Sequence, residues 1–540
     1  MIIKSRLPRP LKLDEPLRHP SHKRPVSRRD FLAQGFIAGS ASVMGGSLLA
    51  AMLKPGAAQA QARLLSPEML AVASQVCGIT VGNGLVPFIC VDLAGGANIA
   101  GSNVLVGQQE GQLDFLSTAG YSKLGLPGDM VPNSSTTNFI NTELGLAFHS
   151  DSAFLRGILS KTSTATRALI NGAVIPARSE NDTGNNPHNP MYGIAKAGAK
   201  GSLLTLIGTE NSDSGGNSMA PLMMIDPANR PTKIDRNSDV TGLVDTGELG
   251  ELFNNPADTV AVMESMARIS QAKFGVPSTV GGNDPADPVT TGLADDATVR
   301  TRASCAYVKT ADTTDRFSNP AELNPSLDPD IRGAGGVFTE AEFDDENEFE
   351  RTASVMKLVV RGYAGAGTIS MGGFDYHTGE RATGESRDFR AGQCIGACLE
   401  YAARSGQRLM IYCFSDGSLS SNGMVDNSAG GRGKGVWTGD NQQTAAAFFL
   451  VLNPGGRPTL RGGSAAEQAR HQQIGYFRAS GDVETAGSPA ANAVNLLVET
   501  VVLNYLALDG REGNFATLFP NHGLGSVALR DSLIAFAPLA

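Results

Sequence analysis

Short apolar runs that stop abruptly at glycine, hydroxyl or acidic residues recur along the chain. Polar and apolar positions alternate little within them, which is typical of strands buried on both faces of a sheet. The pattern predicts strands at Val86–Leu93, Thr166–Ile175, Leu203–Ile207, Leu222–Ile225, Thr368–Met371, Arg408–Phe414 and Ala446–Leu452.

Between these runs, apolar residues recur at the three- and four-residue spacing of amphipathic helices. Helices are predicted at Leu144–Leu159, Pro256–Phe274, Arg351–Tyr363, Asp388–Ser405 and Ser488–Leu508. Strands that alternate with helices predict an α/β fold with a central, mainly parallel β-sheet flanked by helices on both faces. We expect a single large domain over residues 61–540, in which the Asp-, Pro- and Gly-rich stretch 280–350 is a loop or a cap insertion.

The charge of the chain is unevenly distributed. The whole sequence has a net charge of −9, yet residues 1–60 contain ten Lys/Arg and only three Asp/Glu. The rest of the chain therefore has a net charge of −16. A body this acidic argues against nucleic acid and against an anionic membrane surface as partners.

Residues 1–60 have the organisation of an export signal. A basic, proline-rich segment ends at Arg28-Arg29, a mild apolar run extends from Phe31 to Leu53, and Ala58-Gln59-Ala60 follows. This order predicts a cleaved signal of twin-arginine type and a periplasmic or other extracytoplasmic location. The apolar run is long enough for a membrane anchor, but its glycines and serines make its hydrophobicity low. No later stretch is apolar enough to cross a membrane, so we expect no span after cleavage.

Six cysteines in an exported chain permit disulfides. Cys90 and Cys413 lie within predicted strands, and Cys394 and Cys398 share one face of a predicted helix. We therefore expect the cysteines to be buried free thiols. A chain that folds before export has no evident need of a disulfide.

Reactive side chains follow two of the predicted strands. Asp375 and His377 come after the strand that ends at Met371, and Ser415 and Asp416 come directly after Phe414. Parallel sheets place functional groups at the carboxyl ends of their strands. Carboxylate, imidazole and hydroxyl groups gathered there predict a site for a divalent cation such as zinc, calcium or manganese. Asp375 could otherwise be a turn residue after Gly-Gly, and Asp416 could cap the segment after its strand.

Other candidate residues are less specific. His188 lies in a loop and has Asn-Pro on both sides, so it fits either a functional or a loop-packing role. Arg432 and Lys434 could meet an anion, although a flexible loop explains them equally well. The sequence contains no Gly-x-Ser-x-Gly, His-Glu-x-x-His, Cys-x-x-Cys or phosphate-binding Gly-x-x-x-x-Gly-Lys motif.

Several motifs occur in the order of a known family. They are the paired arginines, GGANIAGSN after the first strand, MGGFDYH, the block MIYCFSDGSLSSNG and FPNHG near the end. The chain resembles the functionally uncharacterised, twin-arginine-exported bacterial proteins of the alkaline phosphatase and sulfatase superfamily. The resemblance implies an alkaline-phosphatase-like sheet with a metal site at the strand ends. It assigns Asp375, His377 and Asp416 as metal ligands.

The sequence departs from the family pattern at two places. Asn98 stands where the family has a ligand Asp, and no Asp-His-Gly motif follows the Ser415 block, so His188 or His522 would have to substitute in space. Two hypotheses follow. The chain is a non-catalytic binding or assembly protein of the bacterial envelope, with a small molecule or an envelope component as ligand. Alternatively, it is a metal-dependent hydrolase of phosphate or sulfate esters, with Ser415 or a metal-bound water as nucleophile.

Overall fold

The computed structural model describes residues 64–77, 85–133, 138–179, 186–245, 255–275, 297–317 and 320–539. These residues form two compact units. The smaller unit contains residues 64–77, 255–275 and 297–317, and the larger unit contains the rest. Within these described residues, no helix has both the length and the apolar character needed to cross a membrane.

The larger unit is built on a seven-stranded sheet with the strand order β4-β11-β8-β1-β7-β5-β6. Two short antiparallel ribbons, β2–β3 and β9–β10, accompany it. The strands are β1 (Phe88–Leu93), β2 (Ile140–Asn141), β3 (Phe148–His149), β4 (Ile170–Pro176), β5 (Leu204–Gly208), β6 (Thr232–Lys233), β7 (Ala364–Met371), β8 (Leu409–Ser415), β9 (Leu419–Asp426), β10 (Lys434–Asp440) and β11 (Ala446–Leu452).

The central strands β8, β1, β7, β5 and β6 are parallel, whereas β11 runs antiparallel to both of its neighbours. Every residue of β1, β7, β8 and β11 is buried, because helices cover both faces of this part of the sheet. On one face Phe88 packs edge-on against Tyr505, with ring centroids 5.7 Å apart. On the other, a Cβ at Gly367 would contact Val355 and Val359. The predicted α/β fold, with a mainly parallel sheet between helical layers, is therefore confirmed.

The α-helices of the larger unit connect and cover the strands. They are Thr118–Lys123, Ala153–Lys161, Thr164–Arg167, Met191–Lys196, Asn237–Gly242, Glu340–Asp345, Asn347–Val360, Arg381–Arg404, Ala465–Gln472, Val494–Leu508, Phe515–Leu518 and Val527–Ser532.

Two of these helices pack closely because glycine removes the side chain at their contact. A Cβ at Gly157 in helix Ala153–Lys161 would collide with the carbonyl oxygen of Phe389 in helix Arg381–Arg404. The shorter helix begins at Ser152, whose hydroxyl accepts a hydrogen bond from the Leu155 N–H at 3.1 Å. The close contact at Gly157 holds helix Arg381–Arg404 against helix Ala153–Lys161.

The smaller unit contains three helical segments and a disulfide. Helix Pro67–Ala71 continues as a π-helical turn, and helices Pro256–Gly275 and Ala297–Arg316 follow later in the chain. A disulfide joins Cys77 to Cys305. The expectation of free thiols is therefore wrong for this pair, and it is confirmed for the four buried cysteines of the larger unit. Cys77 and Cys305 are 228 positions apart and neither lies in a predicted strand, so the sequence pattern did not identify them as a disulfide pair.

Three further expectations differ from the structure. The apolar segment Leu222–Ile225 is not a strand but a 3₁₀ turn, Leu222–Met224, in which Leu222 is 77% exposed. The helix predicted from Leu144 begins only at Ala153, because strand β3 precedes it. Part of the predicted insertion 280–350 is helical, and helix Pro256–Gly275 belongs to the smaller unit rather than to the main domain.

Candidate metal site at the carboxyl edge of the sheet

Three neighbouring strands end at the same level of the sheet. Leu93 at the end of β1 is in register with Met371 at the end of β7 and with Ser415 at the end of β8. The loops that follow these strands therefore meet at one edge. They carry Asn98, Asp375, His377 and Asp416, which are the residues expected there.

Asp375 and His377 lie together and are joined by Asp440. The Nδ1 atom of His377 contacts Oδ1 of Asp375 and lies 3.3 Å from Oδ1 of Asp440. One ligand atom from each of the three residues can lie within 4.8 Å of the others. The side chains of Asp375 and Asp440 are 63% and 41% exposed, so this triad opens to solvent.

Asp440 was not predicted as a site residue. It ends strand β10, which reaches the triad because the Gly379 N–H donates to the Trp437 carbonyl at 2.7 Å. The next residue, Asn441, donates its N–H to the Ser418 carbonyl at 2.8 Å. These tertiary hydrogen bonds bring a residue more than sixty positions from His377 beside its ring, and no sequence motif marks Asp440.

The donor set suits a divalent cation. Two carboxylates supply two negative charges, and an imidazole nitrogen with two carboxylate oxygens is a set that zinc and manganese accept. The Nδ1 atom of His377 is buried and faces one carboxylate oxygen of Asp375 and one of Asp440. One ligand atom from each of the three side chains lies in this small space, so the group could hold a cation.

The Gly95-Gly96 turn after β1 makes room for Asp375. A Cβ at Gly95 would lie 2.9 Å from the Cβ of Asp375, and the φ of Gly95 is +117°. Both the positive φ and the close approach require glycine at this position. Gly95 therefore lets the turn after β1 pack against the triad loop, whereas Gly96, with a φ of +107°, faces Gly417 and Ser418.

Asp416 lies at the same edge but outside the triad. It is only 1% exposed. Its Oδ1 accepts from the Gly95 N–H at 2.8 Å, its Oδ2 accepts from Nδ2 of Asn217 at 3.0 Å, and its carbonyl accepts from Asn186 at 2.7 Å. These contacts connect three loops through Asp416, and the residue that lies with Asp375 and His377 is Asp440.

Ser415 is also committed to local structure. Its hydroxyl donates to the Leu93 carbonyl at 2.6 Å and accepts from the Ala97 N–H at 2.8 Å, and the residue is 5% exposed. Both hydrogen-bonding roles of the hydroxyl are used to close the turn after β1. In the part of the chain that the structure describes, the observed partners of this hydroxyl are backbone groups, whereas an activated nucleophile is paired with a base.

Asn98 is fully buried rather than directed at a ligand. Its Oδ1 accepts from the Ser102 hydroxyl at 2.9 Å, and its buried Nδ2 has no hydrogen-bond partner among the described residues. Its backbone N–H donates to the hydroxyl of Tyr376 at 3.1 Å. The contribution of Asn98 to the site is therefore a backbone contact to the triad loop.

His188 lies apart from the triad and is neutral. It is 3% exposed, and its ring stacks on Phe414 with centroids 5.8 Å apart. Burial lowers the pKa of His188 to about 3. Neither ring nitrogen has a hydrogen-bond partner within the part of the chain that the structure describes. Its observed contact is packing against β8.

The remaining candidates are occupied elsewhere. Lys434 is fully buried, and its Nζ lies 2.8 Å from Oε1 of Glu385. Arg432 forms a salt bridge with Asp151. His522 packs against Phe515, and its Nδ1 accepts from the Leu524 N–H. None of these residues belongs to the triad.

Two buried carboxyl groups that were not predicted lie beside the site. Asp92, inside β1, accepts from the N–H and the hydroxyl of Ser218 at 2.8 and 3.1 Å. Asp388, in helix Arg381–Arg404, accepts from the Tyr376 hydroxyl at 2.7 Å. Burial raises the pKa of each to about 7. An acidic residue within an otherwise apolar predicted strand was the available signal for Asp92.

No protein-family model, curated protein or solved structure matches this chain. The resemblance to the alkaline phosphatase and sulfatase superfamily therefore stays a prediction that rests on the sequence motifs.

Proposed function

We propose that this protein binds a divalent cation at the Asp375–His377–Asp440 triad and uses the bound ion to hold a ligand, without catalysing a reaction. The observation that supports this most directly is the convergence of three ligating groups within 4.8 Å at a solvent-accessible edge. Three protein ligands leave coordination positions free for a small molecule or an envelope component. Zinc and manganese fit the imidazole better than calcium does, because calcium prefers an all-oxygen set.

The surroundings of the triad favour binding over catalysis. Ser415 is buried and uses its hydroxyl to close a turn. Asp416 accepts hydrogen bonds from Gly95 and Asn217. The two groups expected to complete a hydrolytic centre therefore stabilise the loops instead.

The proposed location is the bacterial envelope. The supporting features are the twin-arginine-like pattern of residues 1–60 and the Cys77–Cys305 disulfide. Disulfides persist mainly in oxidising compartments, so a disulfide fits an exported protein better than a cytosolic one.

An ester hydrolase remains the second candidate, for one specific reason. Asp375 and Asp440 are partly exposed, so an ion held between them would be open to water. A bound divalent metal can lower the pKa of its water and supply a nucleophile that needs no serine.

Metal titration of the purified protein tests the proposal. We expect one equivalent of Zn²⁺ or Mn²⁺ per chain, measured by calorimetry after chelator treatment, and at least a tenfold loss of affinity in Asp440→Asn. Asp129→Asn removes an exposed carboxylate in the same unit and should bind as the wild type does. Failure of the wild type to bind either ion, or equal affinity of Asp440→Asn, would refute the triad. Hydrolysis of nitrophenyl phosphate or sulfate that disappears in Asp440→Asn would favour the second candidate.

A further inference from the structure

The residue between the two triad residues in the loop after β7 is anchored inside the protein. Tyr376 separates Asp375 from His377, and it is fully buried while its neighbours are partly exposed. Its hydroxyl donates to Oδ1 of Asp388 at 2.7 Å and accepts from the Asn98 N–H at 3.1 Å. One phenol group thus joins the triad loop to a helix and to the turn after β1.

The acceptor Asp388 is itself held in place. It lies in the long helix Arg381–Arg404, and its Oδ2 accepts from Nδ2 of Asn103 at 2.8 Å. The Oδ1 of Asn103 in turn accepts from the Ser152 hydroxyl at 2.9 Å and from the Phe154 N–H at 3.2 Å. The hydroxyl of Tyr376 is therefore tied to a buried, hydrogen-bonded network rather than to a single mobile side chain.

Packing leaves the Tyr376 ring little freedom. A Cβ at Gly384 would lie 2.9 Å from the ring, so this helical glycine makes the space in which the ring lies. The ring of Phe374 also packs against the Tyr376 ring, with centroids 6.2 Å apart. With ring and hydroxyl both fixed, the backbone on either side of Tyr376 has a defined path.

We propose that Tyr376 is a positioning residue for the metal site, which rests on the proposed function of the triad. It does not touch the ion. It holds Asp375 and His377 at the spacing that lets both meet Asp440, so removing its hydroxyl weakens binding and distorts the coordination geometry. Supporting groups that orient metal ligands are worth about 10–100-fold in affinity.

The test compares two tyrosines that each lose one buried hydroxyl. Tyr376→Phe keeps the ring and removes the anchor. Tyr121→Phe is the matched control, because Tyr121 is fully buried and donates to the Val106 carbonyl at 2.9 Å without contact to the triad. Zn²⁺ affinity is measured by chelator competition, coordination by the visible spectrum of the Co²⁺-loaded protein, and stability by thermal unfolding of the metal-free protein.

We expect Tyr376→Phe to bind Zn²⁺ about 10–100-fold more weakly and to shift the Co²⁺ spectrum, whereas Tyr121→Phe loses stability alone. A second variant, Asp388→Asn, weakens the same anchor and should lower affinity in the same direction if Tyr376→Phe does not fold. Wild-type affinity and spectrum in a folded Tyr376→Phe protein would overturn the positioning role while leaving the triad intact. Absence of Zn²⁺ and Co²⁺ binding in the wild type would overturn both.

Discussion

Replacing Ser415 by alanine tests whether its hydroxyl has a structural or a catalytic role. In the structure the hydroxyl fills both of its roles within the turn after β1, donating to Leu93 and accepting from Ala97. Leu93 and Ala97 are 0% and 1% exposed, so water does not replace the lost partner easily. We therefore expect Ser415→Ala to lower the free energy of unfolding of the larger unit.

The size of the effect follows from the two groups left behind. A buried donor or acceptor without a partner costs about 1–3 kcal/mol, so one carbonyl and one N–H together cost roughly 2–6 kcal/mol. The upper part of this range applies if the turn cannot relax, and a water admitted to the space would reduce the cost. We expect a loss of about 2–4 kcal/mol, which is large for a serine-to-alanine change.

Urea unfolding followed by tryptophan fluorescence measures this loss. Trp437 is the only tryptophan in the sequence and is 1% exposed in the larger unit, so its signal reports the unit that contains Ser415. Ser532→Ala is the control, because that residue is exposed and its hydroxyl donates to the Leu529 carbonyl within its own helix. An unfolding midpoint equal to that of the control would refute the structural account. Unchanged stability combined with loss of an ester-hydrolase activity would identify Ser415 as a nucleophile.

Two further predictions concern buried groups around the triad. Asn98→Asp places a carboxylate, as in the family pattern, at a fully buried position. We expect the free energy of unfolding in urea at pH 8 to fall by roughly 3–5 kcal/mol, and we expect no additional equivalent of Zn²⁺ to bind. A second bound ion would contradict this prediction. Burial raises the pKa of Asp388 to about 7, so the folded state holds a proton that the unfolded state releases from about pH 4 upwards, and this contribution to stability falls as pH rises to about 7. Burial also raises the pKa of Asp92 to about 7, so Asp92 contributes in the same direction as Asp388. Burial lowers the pKa of His149 to about 4 and of His188 to about 3, so these two groups act in the opposite direction between about pH 4 and 6.5. The wild-type profile is therefore levelled, and the stability of Asp388→Asn should rise relative to the wild type across pH 4–7, by up to about 1.4 kcal/mol per pH unit; a constant difference between the two proteins would refute the assignment.

The strands that carry the site were predictable because buried parallel strands leave a strong pattern. The runs that became β1 and β8 are apolar almost throughout, the run that became β7 alternates hydroxyl and apolar residues, and all three end at glycine or polar residues. Strand direction was not predictable in the same way. Ala446–Leu452 is as continuously apolar as the others, yet it runs antiparallel between β8 and β4. Burial on both faces produces the same pattern for either direction, so periodicity alone does not distinguish them.

Short apolar segments were the weak point of the fold prediction. Leu222–Ile225 has the composition of a strand, but it forms an exposed turn in the structure. Pro221 precedes it and Pro227 follows, and neither proline can donate a backbone hydrogen bond to a sheet. A run of four apolar residues bounded by prolines lacks the length that made the longer runs reliable.

For the candidate site, strand ends predicted which residues would be neighbours but not how each side chain would be used. Asp375 and Asp416 both follow parallel strands, and both lie against Gly95. Asp416 is buried and accepts hydrogen bonds from Asn217 and from the Gly95 N–H, whereas Asp375 is exposed beside His377. The difference comes from loops distant in sequence. Gly95 and Asn217 donate hydrogen bonds to the carboxylate of Asp416 and not to that of Asp375. Asp440 on a separate ribbon therefore supplies the third candidate ligand, so an incomplete motif in the sequence is compatible with three potential ligands that lie together in the folded protein.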